Sequence, residues 1–366
     1  KATGRLNKLY VELIRTNRDW SNQENINNMN HFMARLIFCF FAEDTDIFGN
    51  NLSFTNTISQ MSNSDSSNTH EIIQEIFRSM NTPYEIRDHS GLARWAKKFP
   101  YVNGGLFSNL FEIPIFSKIA RSYLINIGNL DWTKINPDIF GSMVQAVTEE
   151  NDRGSLGLHY TSIPNILKVL NPLFLNSIKS NVKEAGNNPI KLKNIRKRIS
   201  SLMIFDPACG SGNFLVISYK ELRLIENDIN IKLREAGRKS EISLTNFRGI
   251  EIKSFGCDIA RLALVIAEFQ CNVLYLGQKE ALTEFLPLTS KNWIKCANAL
   301  RCDWEEICFS DPISTKNNFN EIYICGNPPY LGSAWQSKEQ KKDLEFAFKD
   351  LSKLSNSLDY VTGWFI

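Results

Sequence analysis

The sequence predicts a chain in two parts, with an all-α region followed by an α/β region built on a parallel sheet. Three short apolar runs in the second region, SLMIFDP, NFRGIEI and EIYICGNPPY, end in polar, glycine or proline residues, as buried strands do. Stretches with apolar residues at helical spacing separate these runs. Such alternation favours a doubly wound sheet, whose ligands bind at the carboxyl ends of the strands.

The first region shows helical patterns. In HFMARLIFCFFAEDTDIF, apolar residues at helical spacing (Phe32, Leu36 and Phe40) lead into a segment that is apolar on most sides, which indicates a helix inside a bundle. Farther along the chain, helices begin to alternate with strands. We therefore predict a helical domain at 1–145 and an α/β domain at 146–366.

The segment at 50–70, NNLSFTNTISQMSNSDSSNTH, is rich in Asn and Ser and has little periodicity. This composition is typical of loops. We therefore expect a surface loop between the first helices.

Composition and charge restrict the class of protein. The 366 residues are 43% hydrophobic and 22% charged, which is ordinary for a globular chain long enough for two domains. The apolar stretches Leu36–Ala42 and Leu262–Ala267 are too short to span a bilayer, and KATGRLNKLY does not resemble a signal peptide. We expect a soluble, cytoplasmic protein with no membrane partner. Because the formal charge is only +3, any contact with nucleic acid must depend on local basic patches.

The eight cysteines are spread along the chain, mostly in apolar or strand-like contexts, which suits reduced, packed thiols. Cys296, Cys302 and Cys308 are evenly spaced, yet the chain has no CxxC pair and no histidine near them. We therefore expect no metal site.

The first predicted strand ends in FDPACGSGNFL. Gly210 and Gly212 allow a tight turn from strand to helix, and Asp206 places a carboxylate beside that turn. The third glycine of a dinucleotide fingerprint and the Lys-Ser/Thr of a P-loop are both missing. An acidic residue here would repel a pyrophosphate but suits the cationic ammonium and sulfonium of S-adenosylmethionine, which is therefore the predicted cofactor. A purely structural turn is the alternative.

The second strand ends at Glu251, where a carboxylate could accept hydrogen bonds from both hydroxyls of a ribose. An exposed acid at a helix N-terminus is the alternative. Glu251, Ile252 and Lys253 also spell the E-x-K of metal-dependent nucleases, but Asp206 upstream lies in a glycine turn that suits a nucleoside. Farther on, Asp303 in CANALRCDWEEI could pair with an adenine amino group.

The third strand stops abruptly in YICGNPPYLG. Pro328 and Pro329 hold Asn327 extended, so that the Asn327 side-chain oxygen and the Pro328 carbonyl form two unused acceptors. Two acceptors fit one amino group, and accepting both N–H hydrogens favours the nucleophilic form of an adenine or cytosine amine. Such a base must be flipped out of the duplex, and Tyr330 offers a ring on which it can stack. A Pro-Pro surface turn would explain the prolines but not the Asn and Tyr beside them.

The order GLHYTS, DPACGSGNF, GIEI, NALRCDW and GNPPYLG resembles the N6-adenine DNA methyltransferases of the gamma arrangement. The resemblance implies a Rossmann-like S-adenosylmethionine-dependent methyltransferase fold, with Thr161 on the methionine carboxylate and His159 and Tyr160 shaping the same turn. The other cofactor contacts it implies are Asp206, Pro207, Ala208, Gly210, Gly212, Glu251 and Asp303. The catalytic motif it implies is Asn327, Pro328, Pro329 and Tyr330. Adenine rather than cytosine is the target by resemblance alone, because Ser-Pro-Pro-Tyr variants often modify cytosine.

Four longer segments, RLIFCFFAEDTDIF, FPYVNGGLF, LGLHYTSIPNILKVLNPLFL and LDYVTGWF, resemble the MmeI-like restriction-modification enzymes. In these enzymes one polypeptide joins a nuclease, a helical spacer, an adenine methyltransferase and a target recognition domain. The resemblance implies double-stranded DNA as partner. The chain shows no convincing nuclease motif and stops before further methyltransferase strands, so we expect an incomplete C-terminus and no support for cleavage. The missing nuclease and recognition domains are possible partners.

A non-catalytic DNA-binding or assembly scaffold that retains the fold is the alternative function. Such a scaffold would not need acids at the strand ends, and their presence favours the enzyme.

Two basic clusters are candidates for contact with DNA. KLKNIRKR at Lys191–Arg198 fits a solvated helix face better than a phosphate site, whereas SKEQKKD at Ser337–Asp343 is better placed because it follows the catalytic turn.

Overall fold

The computed structural model describes residues 2–49, 52–102, 105–107, 112–134, 161–283, 285–286, 288, 293–309, 321–348 and 357–365. The chain divides into two compact units. The first comprises Lys1–Asn151 with Gln278–Lys291, and the second comprises Asp152–Gly277 with Asn292–Ile366. The predicted domain boundary between 145 and 146 lies outside the described residues.

The first unit is helical over most of its described length. Its helices are α1 (Ala2–Thr16), α2 (Gln23–Asp44), α3 (Phe54–Met61), α4 (Thr69–Asn81) and α5 (Lys118–Gly128). Short 3-10 helices lie at Arg18–Ser21, Tyr84–His89, Ala96–Lys98 and Trp132–Lys134.

The helix predicted to lie inside a bundle is α2. Asn22 caps its start by accepting a hydrogen bond from the N–H of Asn25 at 3.1 Å. Every side chain in Leu36–Ala42 is at most 1% exposed. Phe40 stacks on Trp132 with ring centroids 5.1 Å apart. The prediction of a helix buried on most sides is confirmed.

The surface loop predicted at 50–70 is wrong for its central part, which forms α3. Ser53 caps this helix by accepting from the N–H of Asn56 at 3.0 Å. Phe54 and Ile58, four residues apart on one helix face, are fully buried. The polar residues between them masked this short apolar face in the sequence.

The second unit alternates helices and strands. Its elements are α6 (Ile163–Leu170), α7 (Asn176–Ala185), α8 (Pro189–Ser200), β1 (Leu202–Asp206), α9 (Asn213–Lys232), β2 (Phe247–Glu251), α10 (Ser254–Leu276), β3 (Ile294–Cys296), α12 (Trp304–Phe309), β4 (Glu321–Ile324) and α13 (Lys338–Phe348). Short helical turns lie at Asn171–Leu175, Leu244–Asn246, Ala299–Arg301 and Tyr360–Phe365. Between α10 and β3 the chain forms α11 (Gln278–Thr283), which belongs to the first unit.

The described strands form one sheet in the order β3-β2-β1-β4, and every pairing in it is parallel. Ile204 in the middle of β1 is aligned with Phe247 of β2 on one side and with Tyr323 of β4 on the other. The strand order reverses between β1 and β4, and this is the position at which such sheets bind ligands. The predicted parallel α/β sheet is confirmed.

Helix α10 is the one helix among the described residues that is long and apolar enough to cross a membrane by length and composition. It packs against α9, β2 and β3. Eleven of its residues are buried in these contacts and their surroundings. Its apolar composition is therefore accounted for by core packing.

The segment that starts at α11 returns to the first unit through specific hydrogen bonds. The Gln278 Nε2 donates to the Thr45 carbonyl at 2.7 Å. The Leu288 N–H donates to the Val102 carbonyl at 2.6 Å. Both bonds join residues far apart in sequence, which explains why no local pattern indicated this return.

Candidate cofactor and target-base site

Asp206 ends β1 and is almost completely buried, with 1% of its surface exposed. Its Oδ1 accepts a hydrogen bond from the N–H of Ala208 at 3.0 Å. Burial raises the pKa of the Asp206 carboxyl to about 7, and the nearby Glu251 adds to this shift while the Ala208 hydrogen bond opposes it. No described lysine or arginine forms an ion pair with Asp206. The site therefore contains a buried acid that no described cationic side chain neutralises.

The turn after β1 depends on two glycines in the left-handed region of backbone space. Gly210 has φ +53° and Gly212 has φ +83°. A Cβ on Gly212 would lie 3.0 Å from the Cβ of Ala260 in α10, so this turn packs closely on that helix. A Cβ on Gly210 would meet nothing within 4 Å. The backbone at Gly210 is thus open to a ligand.

Glu251 ends β2 and is 7% exposed. Its Oε2 accepts from the N–H of Gly210 at 3.0 Å, and its Oε1 accepts from the N–H of Lys253 at 2.9 Å. Burial raises the pKa of this carboxyl, and the two hydrogen bonds partly offset that effect. Gly256 leaves room for the side chain, because a Cβ there would lie 2.7 Å from the Glu251 Cγ. Glu251 therefore joins the ends of β1 and β2.

The loop after β4 closes against the end of β1. The N–H of Cys325 donates to the Phe205 carbonyl at 2.9 Å, which extends the strand pairing to Cys325, the residue before Gly326. A Cβ on Gly326 would lie only 2.2 Å from the Asp206 Oδ1. A glycine is therefore required here, and its position directly before Asn327 is the signal that sequence reasoning did not use.

Asn327 is oriented by a hydrogen bond, since its Nδ2 donates to the Thr161 Oγ1 at 3.1 Å. None of the described residues donates to the Asn327 Oδ1 or to the Pro328 carbonyl. Pro328 is buried and Pro329 is partly buried, whereas Tyr330 is 60% exposed. Two acceptors and an accessible aromatic ring thus lie next to one another.

The other predicted site residues have different surroundings. His159 and Tyr160 lie outside the described residues. Asp303 is exposed, and its Oδ1 caps α12 by accepting from the N–H groups of Glu305 and Glu306 at 2.9 and 3.1 Å. None of the described residues donates to its second carboxylate oxygen.

Asp343 was missed by sequence reasoning because it ends a segment that was treated as a basic cluster. It is 8% exposed and holds three groups together. Its Oδ1 accepts from the Arg301 Nε at 2.8 Å, and its Oδ2 accepts from the Asn298 Nδ2 at 2.8 Å and the Tyr360 hydroxyl at 3.0 Å. Asp343 therefore anchors the loop that precedes Asp303.

The C-terminal segment at 357–365 forms hydrogen bonds to the chain that follows the Asn-Pro-Pro-Tyr loop and to the turn after β1. The N–H of Tyr360 donates to the Leu331 carbonyl at 2.9 Å. The Trp364 Nε1 donates to the Pro207 carbonyl at 3.5 Å. Gln336 is buried, and its Nε2 donates to the Leu331 and Leu358 carbonyls at 2.9 and 2.8 Å. These bonds fix the residue that directly follows the Asn-Pro-Pro-Tyr loop and connect the C-terminal segment to the turn after β1.

The two basic clusters differ. Arg196 is buried and its Nη1 donates to Asn230 and Glu235 at 2.7 and 2.6 Å. Arg198 forms a bidentate pair with Glu321 at 2.7 and 2.8 Å. The arginines of the first cluster are thus engaged inside the fold. In the second cluster, Lys338 and Lys342 are exposed at the start of α13.

Within the described part of the chain, no group of three or more His, Cys, Asp or Glu residues is arranged to hold a metal ion. The eight cysteines are free thiols, and six of them are buried. They contribute to packing rather than to a disulfide framework.

Comparisons with known proteins agree with this geometry. Residues 182–366 match the family described as MmeI, DNA-methyltransferase domain, and residues 27–107 match MmeI, helicase spacer domain. The chain is 42% identical to DNA methyltransferase A of Bacillus subtilis, over all of this chain and 40% of that protein. It is 25% identical to a putative type II restriction enzyme and methyltransferase of Methanocaldococcus jannaschii, over 73% of this chain and 27% of that protein.

A solved structure of the type IIL restriction-modification enzyme MmeI in complex with DNA superposes with a TM-score of 0.82 at 35% identity, covering all of this chain and 47% of that one. The chain therefore spans less than half the length of each of these three relatives. The predicted α/β methyltransferase fold and the predicted resemblance to MmeI-like restriction-modification enzymes are confirmed. The chain belongs to the MmeI family of restriction-modification proteins and carries the helicase spacer and DNA-methyltransferase domains of that family.

Proposed function

We propose that this chain is the S-adenosylmethionine-dependent methyltransferase part of a restriction-modification protein, and that it methylates the N6 amine of adenine in double-stranded DNA. We also propose that 1–145 act as the helical spacer and 146–366 as the methyltransferase domain. One observation carries the proposal. The buried acids Asp206 and Glu251 and the Asn327 loop, whose acceptors no described residue uses, lie at the carboxyl ends of the neighbouring strands β1, β2 and β4, at and beside the point where the strand order reverses.

The residues present fit S-adenosylmethionine. Asp206 is a buried carboxyl with no cationic partner among the described residues, and a ligand with a sulfonium and an ammonium would supply positive charge. Gly210 leaves its backbone open, and Glu251 retains unused lone pairs for a ribose beyond its two backbone bonds. Thr161, His159, Tyr160 and Asp303 complete the proposed set. When bound, S-adenosylmethionine supplies an electrophilic methyl group.

Asn327 and Pro328 would act on the amine that receives this methyl group. The Asn327 Oδ1 and the Pro328 carbonyl accept its two N–H groups, which favours the pyramidal, nucleophilic form of the nitrogen. Because this preference grows as the new bond forms, it stabilises the transition state more than the ground state. Pro329 keeps the loop extended. Tyr330 offers its exposed ring to the flipped base, and such stacking is worth about 1–3 kcal/mol.

DNA is the proposed partner, and the surface after the catalytic loop supports it. Lys338 and Lys342 are exposed at the start of α13, close in sequence to the exposed Trp335 and Tyr330. Lysines and aromatics together suit a phosphate backbone and unstacked bases. We propose a cytoplasmic location, since this is where the DNA substrate of a bacterial or archaeal enzyme lies.

Two measurements on the full-length protein test the proposal. Calorimetric titration with S-adenosylhomocysteine should show binding that Glu251→Ala weakens and Asn327→Ala preserves. Mass analysis of nucleosides from DNA incubated with S-adenosylmethionine should show N6-methyladenine. No binding at near-millimolar ligand would reject the cofactor, and methylated cytosine alone would reject adenine. DNA affinity that is indifferent to the cofactor, without methylation, would favour the scaffold.

A further inference from the structure

The hydrogen bond between Thr161 and Asn327 joins a residue proposed to bind the cofactor to a residue proposed to bind the target base. The Asn327 Nδ2 donates to the Thr161 Oγ1 at 3.1 Å. Thr161 stands two residues before α6, and Asn327 lies between Gly326 and the first of two prolines. The following proline restrains the backbone at Asn327, and the hydrogen bond fixes the two side chains relative to each other.

An asparagine amide has a donating end and an accepting end, and only one orientation suits an incoming amine. With Nδ2 directed at Thr161, the Oδ1 points away from it and is left to accept from the target. In the reverse orientation the Nδ2 would face the amine, so two donors would oppose each other. The hydrogen bond to Thr161 therefore leaves the Asn327 Oδ1 available to accept from the target amine.

A threonine hydroxyl has one proton and two acceptor lone pairs, so by itself it could accept from Nδ2 or donate to Oδ1. It accepts exclusively only when its own proton is engaged elsewhere. The carboxylate of an S-adenosylmethionine methionine group would be such an acceptor, which is the contact that the resemblance implies for Thr161.

We infer that Thr161 is a positioning residue for methyl transfer: its hydroxyl orients the Asn327 amide toward the target amine, and it does so fully when its proton is bound by the carboxylate of the cofactor. This inference rests on the proposed function. It follows that cofactor binding and target-base binding are coupled through one hydroxyl, and that each raises the affinity of the other by the same factor.

The test uses the full-length protein and a duplex that carries a methylation site mapped by sequencing modified DNA. DNA affinity is measured with and without S-adenosylhomocysteine, which retains the carboxylate. In the wild type the ligand should raise DNA affinity by about 5- to 150-fold, the usual range for coupled sites. 5′-Methylthioadenosine lacks the carboxylate and should raise it by less than about twofold.

Thr161→Val keeps the shape of the side chain and removes the hydroxyl, whereas Thr161→Ser keeps the hydroxyl. The valine variant should lose the coupling factor and have a kcat lowered by up to about 100-fold, as expected when a catalytic group is misplaced. The serine variant should retain both properties within about threefold. If the valine variant folds poorly, Asn327→Ala provides the second route, because it removes the other partner and should abolish the same coupling.

The outcomes distinguish a failure of the proposed function from a failure of the role inferred for Thr161. A wild-type protein that neither binds S-adenosylhomocysteine nor methylates DNA would reject the proposed function, and this inference with it. A wild type that binds and methylates, with unchanged coupling and kcat in Thr161→Val or with Thr161→Ser as impaired as Thr161→Val, would overturn the inference alone.

Discussion

The two ends of the candidate site are built differently. The cofactor end, defined by Asp206, Glu251 and the glycine turn between β1 and α9, is buried, and its carboxylates are bonded to backbone N–H groups. The target-base end, defined by Asn327–Tyr330, leaves its acceptors without donors among the described residues, and its tyrosine is 60% exposed. Changes at the first end should therefore affect folding and cofactor affinity together, whereas changes at the second should affect the chemistry and the coupling to DNA and leave folding and cofactor affinity without DNA close to wild type.

The largest expected effect is that of Asn327→Ala, which isolates the target-base end. Removing one of two acceptors should lower kcat by about 10²- to 10³-fold, the usual cost of losing one group that stabilises developing charge. The melting temperature and the affinity for S-adenosylhomocysteine should remain close to wild type, because no buried apolar contact is lost. Single-turnover methylation and titration calorimetry would measure these quantities. A matching loss of cofactor affinity would show that the two ends are not separable.

The second prediction concerns the contact between the two ends. Gly326→Ala would place a Cβ 2.2 Å from the Asp206 Oδ1, and the forced shift should cost about 1–3 kcal/mol. The variant should melt several degrees lower and bind S-adenosylhomocysteine more weakly, because Asp206 is displaced. Gly332→Ala is the matched control, since its Cβ would lie at an ordinary 4.0 Å from the Trp335 Cδ1. Equal melting temperatures for the two variants would show that the close approach is not required.

The third prediction is a pH dependence that belongs to the cofactor end. Burial raises the pKa of Asp206 from 3.8 to about 7, so between these values the folded state keeps a proton that the unfolded state has lost. The associated stability is present below about pH 4 and is lost as the pH rises toward about 7. Denaturant unfolding across this range should show the decline in wild type, and Asp206→Asn should flatten it.

The affinity for a cationic cofactor should change with pH in the opposite direction, because binding requires the ionised Asp206 carboxylate. The affinity for S-adenosylmethionine should rise about tenfold between about pH 6 and pH 8 and then level off. Asp206→Asn should bind weakly at every pH. An affinity that is flat with pH in the wild type would contradict the assignment of Asp206 to the cofactor.

Local patterns were sufficient for the long buried helix and for the ends of three strands. The apolar run of α2, the strand ends at Asp206 and Glu251, and the proline stop after β4 are each visible within a few residues. The short helix α3 could not be predicted in this way, since its buried face consists of few apolar residues among many polar ones. The return of Gln278–Lys291 to the first unit could not be predicted locally, because it depends on hydrogen bonds to residues distant in sequence.

The sequence by itself determined which side chains end the strands, because backbone preferences of glycine and proline and the spacing of apolar residues are properties of short segments. The tertiary structure alone decided which of those ends meet. The close fit of Gly326 against Asp206, the Thr161 bond that orients Asn327, and the bonds of Asp343 to Asn298, Arg301 and Tyr360 all depend on the order in which parallel strands are laid side by side. That order is set by packing over the whole sheet, so no single stretch of the chain encodes it.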